Sequence, residues 1–355
     1  MIPLGNPFVG EQEIEAVTEL LAKGHLSIGD VVSTFENDFS DFIGRTGGAA
    51  VASGSVALEL ALSVQGFDPG DGIVLSPYNC GAILYSPMRE DLIPVFADIN
   101  PETCNLDPNA VRKTIIEADV PVEGMLLTHL YGLPTDYEPL AKIASEFDLT
   151  VINDFAQAPG ATYQGEPVGS LGDIGVCSFG ATKNITTAEG GMVVSDDPGI
   201  LETVRTLRSN TGSETSELQR SVRMNDIEAA IGIEQISKYD EIKQRKRRIV
   251  SIYREGLPDE MVLQPDLSDR IDDYHGFPIR SADRTQLINK LKNDGIATAP
   301  VYDTPLYEYD ACLQSVDPSS FPNTESVADE VLLLPIHAQV TDEQAMMIVE
   351  SLTEC

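Results

Sequence analysis

Residues 149–196 read LTVINDFAQAPGATYQGEPVGSLGDIGVCSFGATKNITTAEGGMVVSD, and this stretch decides the fold. It contains three short apolar runs, at 149–154, 174–179 and 191–196, which are separated by polar segments that contain glycine. Apolar runs of this length that are bounded by turn residues are typical of buried β-strands. We therefore expect three strands of one buried sheet here.

The same alternation extends toward the N-terminus. Four further apolar runs precede this stretch, and helix-like segments such as 55–67 and 108–118 separate them. Strands that alternate with helices are typical of βαβ units around a mostly parallel sheet. The sequence therefore predicts an α/β fold with strands at 49–53, 72–76, 92–99, 124–130, 149–154, 174–179 and 191–196.

The pattern changes after the last of these strands. Residues 224–257 form one long stretch with apolar residues at three-to-four spacing, which predicts a helix that leaves the first domain. From about residue 258 the pattern indicates a smaller α+β unit, with one strand followed by two helices. We therefore predict a large domain at 1–245, whose N-terminal segment packs on the small domain, and a small C-terminal domain at 246–355.

Net charge restricts the classes of function. The 355 residues include 57 acidic and 23 basic side chains, which gives a formal net charge of -34. Nucleic acids and anionic membrane surfaces repel such a protein, so neither is expected as a partner. No apolar run approaches the roughly 18 residues of a spanning helix, and the first residues lack a signal-peptide pattern. We expect a cytoplasmic protein.

The acidic residues are spread along the whole chain. At molar salt the Debye length falls to about 3 Å, so an acidic surface no longer repels itself strongly. We interpret the acidity as an adaptation to a salt-accumulating organism. An acidic face for a basic partner is the alternative, and it would require clustered carboxylates, which the sequence does not show.

Metal and disulfide chemistry have little support. The five cysteines include no Cys-x-x-Cys pair, and only four histidines accompany them. Such a set indicates buried free thiols, and we expect neither a disulfide framework nor a bound metal.

The first candidate site is the turn Ser53-Gly54-Ser55, where a strand ends and a helix begins. The free N–H groups and the positive dipole end of a helix suit a phosphate, and the Ser55 hydroxyl adds a donor. The same residues also form an ordinary helix N-cap. The turn is therefore a phosphate site only if other residues support it.

The second candidate is Asp154, at the end of an apolar strand. Open α/β sheets place their ligands at this carboxyl edge. A buried carboxylate requires a cationic partner, and a protonated pyridine nitrogen would be one. A helix N-cap is the alternative role.

The third candidate is Lys183, five residues after Ser178 in a polar turn. Burial near apolar strand ends disfavours the charged form of an amine, which frees it as a nucleophile for Schiff-base formation. Only nine of the 23 basic residues are lysines, so a retained lysine in a compact turn favours this role over a solvated one. The Gly190-Gly191 pair allows a tight return into the next strand.

Together, SGSVALELAL (53–62), the stretch 154–197 and RMNDIEAAIGIEQISKYDEI (223–242) resemble the DegT/DnrJ/EryC1/StrS sugar aminotransferases. The resemblance runs from NPFVGEQEIEAV (6–17) to LLLPIHAQVTDEQ (332–344). It implies the pyridoxal-phosphate-dependent transferase fold of type I, with a seven-stranded large domain and a smaller α+β domain. It also implies pyridoxal 5'-phosphate as cofactor and a homodimer with active sites at the subunit interface.

The resemblance assigns roles to individual residues of this chain. It implies that Lys183 is the Schiff-base lysine and proton carrier, and that Asp154 keeps the pyridine nitrogen protonated. Gln157 would contact the cofactor ring oxygen. Relatives with histidine at the lysine position perform dehydration, so Lys183 favours transamination. The phosphate would be held by Gly54, Ser55, Val56 and Ser178.

Several positions depart from the family pattern. The aromatic residue that stacks on the cofactor ring in many relatives falls at Cys80, with Tyr78 two residues earlier, and either could cover the ring. The usual Asn-x-Arg-Met reads Ser221-Val222-Arg223-Met224, which leaves Arg223 as a candidate for phosphate or substrate. Two tyrosines are further candidate substrate contacts, Tyr302 and Tyr307, the latter where relatives often have histidine. An ordinary half-buried tyrosine is the alternative for Tyr302.

The sequence thus predicts an aminotransferase that moves an amino group, with glutamate as the expected donor, to a nucleotide-linked keto-sugar. The two half-reactions would follow a ping-pong order and serve polysaccharide synthesis. Two alternatives remain: a transaminase of a non-nucleotide ketone, and a non-catalytic regulatory protein of the same fold that binds pyridoxal phosphate.

Overall fold

A computed structural model describes residues 1–24, 26–209, 220–258 and 260–353. The described residues contain thirteen strands. The strands are β1 (Gly48–Val51), β2 (Gly72–Leu75), β3 (Ile93–Phe96), β4 (Val122–Thr128), β5 (Thr150–Asp154), β6 (Thr162–Tyr163), β7 (Glu166–Pro167), β8 (Ile174–Ser178), β9 (Gly191–Val194), β10 (Val262–Leu263), β11 (Arg270–Ile271), β12 (Phe277–Arg280) and β13 (Val331–Leu334).

Twelve α-helices connect or flank these strands in the described part of the chain. They are α1 (Glu11–Lys23), α2 (Asp30–Phe42), α3 (Gly54–Ser63), α4 (Gly81–Arg89), α5 (Pro108–Glu117), α6 (Tyr137–Phe147), α7 (Pro198–Leu207), α8 (Asp226–Ser237), α9 (Tyr239–Gly256), α10 (Arg284–Asn293), α11 (Pro322–Glu330) and α12 (Asp342–Thr353). Within the described ranges, no helix combines the length and apolar composition that crossing a bilayer requires.

The central sheet has seven strands in the order β1-β9-β8-β5-β4-β2-β3. All neighbouring pairs from β8 to β3 are parallel, whereas β9 runs antiparallel to both β1 and β8. Each predicted strand overlaps one of these seven. The four-residue strands β1, β2 and β9 are fully buried, which explains why they appear in the sequence as continuous apolar runs.

Helices cover both faces of this sheet. Helices α3, α4 and α7 bury apolar side chains on one face, in a cluster that includes Leu58, Leu84 and Val204. Helices α2, α8, α5 and α6 cover the other face, where Phe35 and Leu140 are buried. The sheet is thus the middle layer of a three-layer sandwich, as expected for a mostly parallel sheet.

The C-terminal part builds a second, smaller sheet of antiparallel strands, β10-β12-β13. Helices α9, α10 and α12 pack on it, and Ile2 from the N-terminus belongs to the same buried cluster. Ile2 also forms a β-bridge with Ile296. A third small sheet, β11-β6-β7, joins residues of the C-terminal part to the segment after β5. The predicted domain boundary at 245/246 falls inside α9, and it stays a prediction.

The predicted single helix over 224–257 is wrong, because the structure has two helices, α8 and α9, with Lys238 between them. Helix α8 packs against α1 and α2, whereas α9 packs against α12. The two helices therefore serve different cores. Lys238 forms an ion pair with Glu13 and lies 4.9 Å from the Phe8 ring centroid, which fixes it at the junction.

Candidate active site

Asp154 is the last residue of β5, at the carboxyl edge of the central sheet. No helix begins there, so the N-cap role is wrong; instead its Oδ1 accepts a hydrogen bond from Ala156 N at 2.9 Å. Burial raises the pKa of Asp154, while the Ala156 hydrogen bond and the charge of Lys183 lower it. Asp154 and Lys183 therefore lie close enough for their charges to interact.

The turn before α3 lies at the same edge of the sheet. Gly191 pairs with Val51 of β1 on one side and with Ser178 of β8 on the other. A Cβ at Gly191 would lie 2.3 Å from Ser53 O, so only glycine lets the strand pass the turn. This packing brings the turn and the end of β8 together.

Close packing also places Ser178 against Gly54. A Cβ on Gly54 would lie 2.5 Å from Ser178 Cβ, so glycine is required there as well. Ser53 caps α3, since its Oγ accepts a hydrogen bond from Val56 N at 3.3 Å. The hydroxyl groups of Ser55 and Ser178 thus flank one helix N-terminus, which is a favourable arrangement for an anion.

Lys183 lies in the turn between β8 and β9 and is half-buried. Its backbone N–H donates to Gly180 O at 2.9 Å. Among the described residues, Nζ has neither a hydrogen bond nor an ion pair. Its charge acts on the pKa of Asp154, Cys80 and His275. Lys183 therefore lies among the site residues and is not a fully solvated side chain.

Of the two candidates for covering the ring, Cys80 lies nearer to this group. Cys80 precedes α4, and burial raises the pKa of its thiol, which Lys183 lowers and Asp154 raises. Tyr78 is fully buried, and its hydroxyl is hydrogen-bonded to Tyr131.

Gln157 and Tyr302 join the group from two different parts of the chain. Gln157 Oε1 accepts from Tyr131 N at 2.7 Å, and its Nε2 donates to the Tyr302 hydroxyl at 3.3 Å. Burial raises the pKa of Tyr302 well above its usual value, and the nearby charges of Cys80 and Asp154 add to that shift. Tyr302 is thus a site residue in space as well as in the sequence.

Two other candidates occupy different surroundings. Arg223 forms a β-bridge with Val51, next to the turn before α3, and its guanidinium has no side-chain partner among the described residues. The contacts of Tyr307 lie elsewhere, and its role as a substrate contact stays a prediction. Its hydroxyl is hydrogen-bonded to Glu325, and its ring stacks on Phe321 with centroids 5.1 Å apart.

Sequence reasoning missed a buried polar network beside Lys183. Asn184 Nδ2 donates to Asp273 Oδ2 at 3.0 Å, and Asn184 Oδ1 accepts from Lys246 Nζ at 2.6 Å. His275 lies near both lysines, because their charges contribute to the lowering of its pKa. The scarcity of lysine, which pointed to Lys183, could equally have pointed to Lys246.

The sheet and this group of residues define an α/β protein with a lysine, a carboxylate and a hydroxyl-lined helix N-terminus at one sheet edge. The described residues contain no metal-binding cluster of three or more His, Cys, Asp or Glu. A model of the DegT/DnrJ/EryC1/StrS aminotransferase family matches residues 7–353. The chain belongs to this family and is an aminotransferase.

Individual relatives agree with this assignment over almost their full length. The chain is 30% identical to the GDP-perosamine synthase of Escherichia coli O157:H7, over 99% of this chain and 98% of that protein. It is also 30% identical to the spore coat polysaccharide biosynthesis protein SpsC of Bacillus subtilis, with 99% and 96% covered. The aminotransferase TlmJ of Streptoalloteichus hindustanus has a similar structure, with a TM-score of 0.92, 28% identity and 99% and 97% covered. These similarities confirm the predicted fold class.

Proposed function

We propose that the chain is a pyridoxal-phosphate-dependent aminotransferase whose acceptor is a nucleotide-linked keto-sugar and whose amino donor is glutamate. The observation that carries the proposal is that Asp154 ends β5 beside β8, whose last residue, Ser178, packs against Gly54 and precedes Lys183 by five residues. Relatives named as a GDP-perosamine synthase and as a polysaccharide biosynthesis protein support the sugar acceptor.

The donor set suits pyridoxal 5'-phosphate. Gly54 leaves no room for a side chain beside Ser178, so the N-terminus of α3 and the Ser55 hydroxyl can face a phosphate. Val56 N–H, which donates to Ser53 Oγ at 3.3 Å, would share or exchange that partner to join them. Asp154 is a carboxylate at a sheet edge with one hydrogen bond from Ala156, which leaves acceptor capacity for a protonated ring nitrogen. Arg223 is a further cation for the phosphate or substrate.

Each of these residues then has a definite task. When bound, the cofactor supplies an electron sink for the carbon that carries the amino group. Lys183 Nζ acts as nucleophile and moves a proton, and Asp154 holds a positive charge at the ring nitrogen. Gln157, whose Oε1 accepts a hydrogen bond from Tyr131 N, and the neighbouring Tyr302 would border the ring and the substrate. We propose Cys80 as the side chain that covers the ring, a homodimer as the assembly, and the cytoplasm as the location.

Visible absorbance tests this proposal. The enzyme loaded with pyridoxal phosphate is expected to show the band of a lysine-bound cofactor, which glutamate bleaches and a nucleotide-linked keto-sugar restores. Lys183→Ala is expected to lose the band, whereas Lys243→Ala keeps it, because Lys243 instead donates to Gly160 O at 2.6 Å. A band that no amino donor changes, or that survives in Lys183→Ala, contradicts the proposal.

A further inference from the structure

A cavity of about 420 Å³ adjoins Lys183. Residues 4–8 of the N-terminal segment, the Lys183 turn and the C-terminal part of the chain form its walls. The N-terminal segment is held in place there, since Gln235 Nε2 donates to Phe8 O at 2.8 Å and Gln339 Nε2 donates to Pro7 O at 2.8 Å. A cavity of this volume is large enough for a small-molecule ligand.

The charge of this cavity is opposite to that of the protein. The chain has a net charge of -34, yet the cavity lining includes Lys183 and Lys246, two of only nine lysines. It also includes His275 and His337, two of the four histidines. Among the described residues that line it there is no Asp or Glu. The lining thus offers an anion basic and hydrogen-bonding side chains with no carboxylate among them.

Lys246 is buried, with 6% of its surface exposed. Its Nζ donates to Asn184 Oδ1 at 2.6 Å and to Tyr274 O at 2.9 Å, which leaves one of three N–H donors available. Burial lowers the pKa of Lys246 to about 8, although the nearby charges of Asp273 and Asp272 raise it. No carboxylate in the described part of the chain forms an ion pair with it. At neutral pH it is a buried cation with an unused donor.

His275 lines the cavity together with the two lysines. Burial, then the charges of Lys183 and Lys246, lower the pKa of His275 well below its usual value, so the ring is neutral. Its Nδ1 is buried and has no hydrogen-bond partner. His337 differs, because its Nε2 is bonded to Pro3 O at 3.2 Å and its Nδ1 to Gln339 N at 3.3 Å. Lys246 and His275 are therefore the groups with spare capacity for a ligand.

Building on the proposed aminotransferase function, we propose that Lys246, together with His275, binds the side-chain carboxylate of an acidic amino donor while its amino group reaches Lys183. The cavity then selects the donor by charge. Lys246 is a specificity-determining residue in this scheme, and an uncharged donor of the same shape leaves its ammonium without an anionic partner.

Glutamate and glutamine test this assignment, because they differ little in shape but differ in side-chain charge. The half-reaction of the cofactor-loaded enzyme is measured as loss of visible absorbance. Its second-order rate constant is expected to be at least about tenfold higher for glutamate than for glutamine. Lys246→Met is expected to lower the glutamate value by about 10- to 100-fold and to leave glutamine within about twofold. Lys246→Arg, which keeps the charge, is expected to retain part of the preference. Lys243→Met is the matched control on the same helix.

A binding measurement separates this inference from the proposed function. The apoenzyme is expected to bind glutarate, a dicarboxylate without an amino group, about tenfold more weakly in Lys246→Met, and to bind glutaramide, its uncharged diamide, equally in both proteins. Equal loss of glutamate and glutamine turnover in Lys246→Met would show that Lys246 only supports the Lys183 turn through Asn184, and would overturn the inference. So would a weaker affinity for the keto-sugar nucleotide with an unchanged donor, because the anion would then be a phosphate. If no donor bleaches the wild type but glutarate binds through Lys246, only the proposed function fails.

Discussion

Asp154 and Lys183 each lack a complete set of partners within the described chain. Asp154 accepts one hydrogen bond, from Ala156 N, and Lys183 Nζ donates none to any described residue. Both side chains are half-buried, and a polar group with few partners costs free energy unless water or a ligand supplies them. The proposed cofactor would supply partners to both residues.

Asp154→Asn is expected to slow the half-reaction with glutamate by at least about 100-fold, because an amide cannot hold a positive charge at the ring nitrogen. Single-turnover loss of visible absorbance measures the effect. Asp107→Asn is the control: Asp107 caps α5 through Asn109 N at 2.7 Å, and asparagine caps equally well. A rate within threefold of wild type, on the order of RT in free energy, would remove Asp154 from the site.

Gly54→Ala is expected to destabilise the protein by about 1–3 kcal/mol, because the new Cβ would lie 2.5 Å from Ser178 Cβ. It is also expected to weaken phosphate binding, since the turn must move away from the end of β8. Thermal unfolding with and without pyridoxal phosphate measures both effects. Gly10→Ser serves as control, because nothing lies within 4 Å of its Cβ and serine is a favoured N-cap. An unchanged melting temperature in Gly54→Ala would contradict this packing.

At the scale of elements, Asp226 connects two helices. It is the first residue of α8, and its Oδ1 accepts from Gly29 N at 2.9 Å and from Val32 N at 3.1 Å, so it caps the start of α2. Asp226→Ala leaves these buried N–H groups unpaired and is expected to cost about 1–3 kcal/mol of unfolding free energy. Denaturant titration measures the cost. Asn225→Ser, which preserves the cap of α8, is expected to be nearly neutral; equal losses in both variants would refute the bridging role.

Strands of the central sheet were predictable because most of their residues are buried and each strand appears as an apolar run, although edge strand β3 is only half-buried on one face. The strands β6, β7 and β11 were not, because two-residue strands have no period to detect. The break at Lys238 was equally invisible, since neither glycine nor proline marks it and the cause is packing on two separate cores.

The predicted site residues, like the strands, divide into those that the local sequence pattern could indicate and those that it could not. Asp154 and Ser178 end strands and Lys183 follows Ser178 by five residues, so local pattern and spacing sufficed to predict where they lie in the fold, while their roles stay predictions. Lys246 and His275 come from α9 and the segment before β12, and only the tertiary fold brings them to Lys183. The aligned position of Tyr307 could not show that its ring packs on Phe321, and its role as a substrate contact stays a prediction.

At the scale of the whole molecule, buried acids and surface acids behave differently. Glu36 is buried and paired with Arg208, and buried Glu59 is paired with Arg220 at 2.9 Å. Basic residues are few and many are committed to such pairs, so most of the exposed carboxylates have only water and ions as neighbours. Mutual repulsion among these carboxylates opposes folding at low ionic strength.

The sequence prediction of an adaptation to high salt follows from this repulsion. Raising KCl from 0.1 M to 1 M shortens the Debye length from about 10 Å to about 3 Å, so the melting temperature is expected to rise. Salt also strengthens apolar burial in any protein, so a variant is needed to distinguish that effect from reduced repulsion. In this variant five exposed glutamates are changed to glutamine: Glu11, Glu15, Glu123, Glu202 and Glu255. Its net charge is -34 + 5 = -29, so repulsion is weaker and its melting temperature is expected to rise less with salt. Identical salt dependence in the two proteins would show that surface repulsion is not the cause.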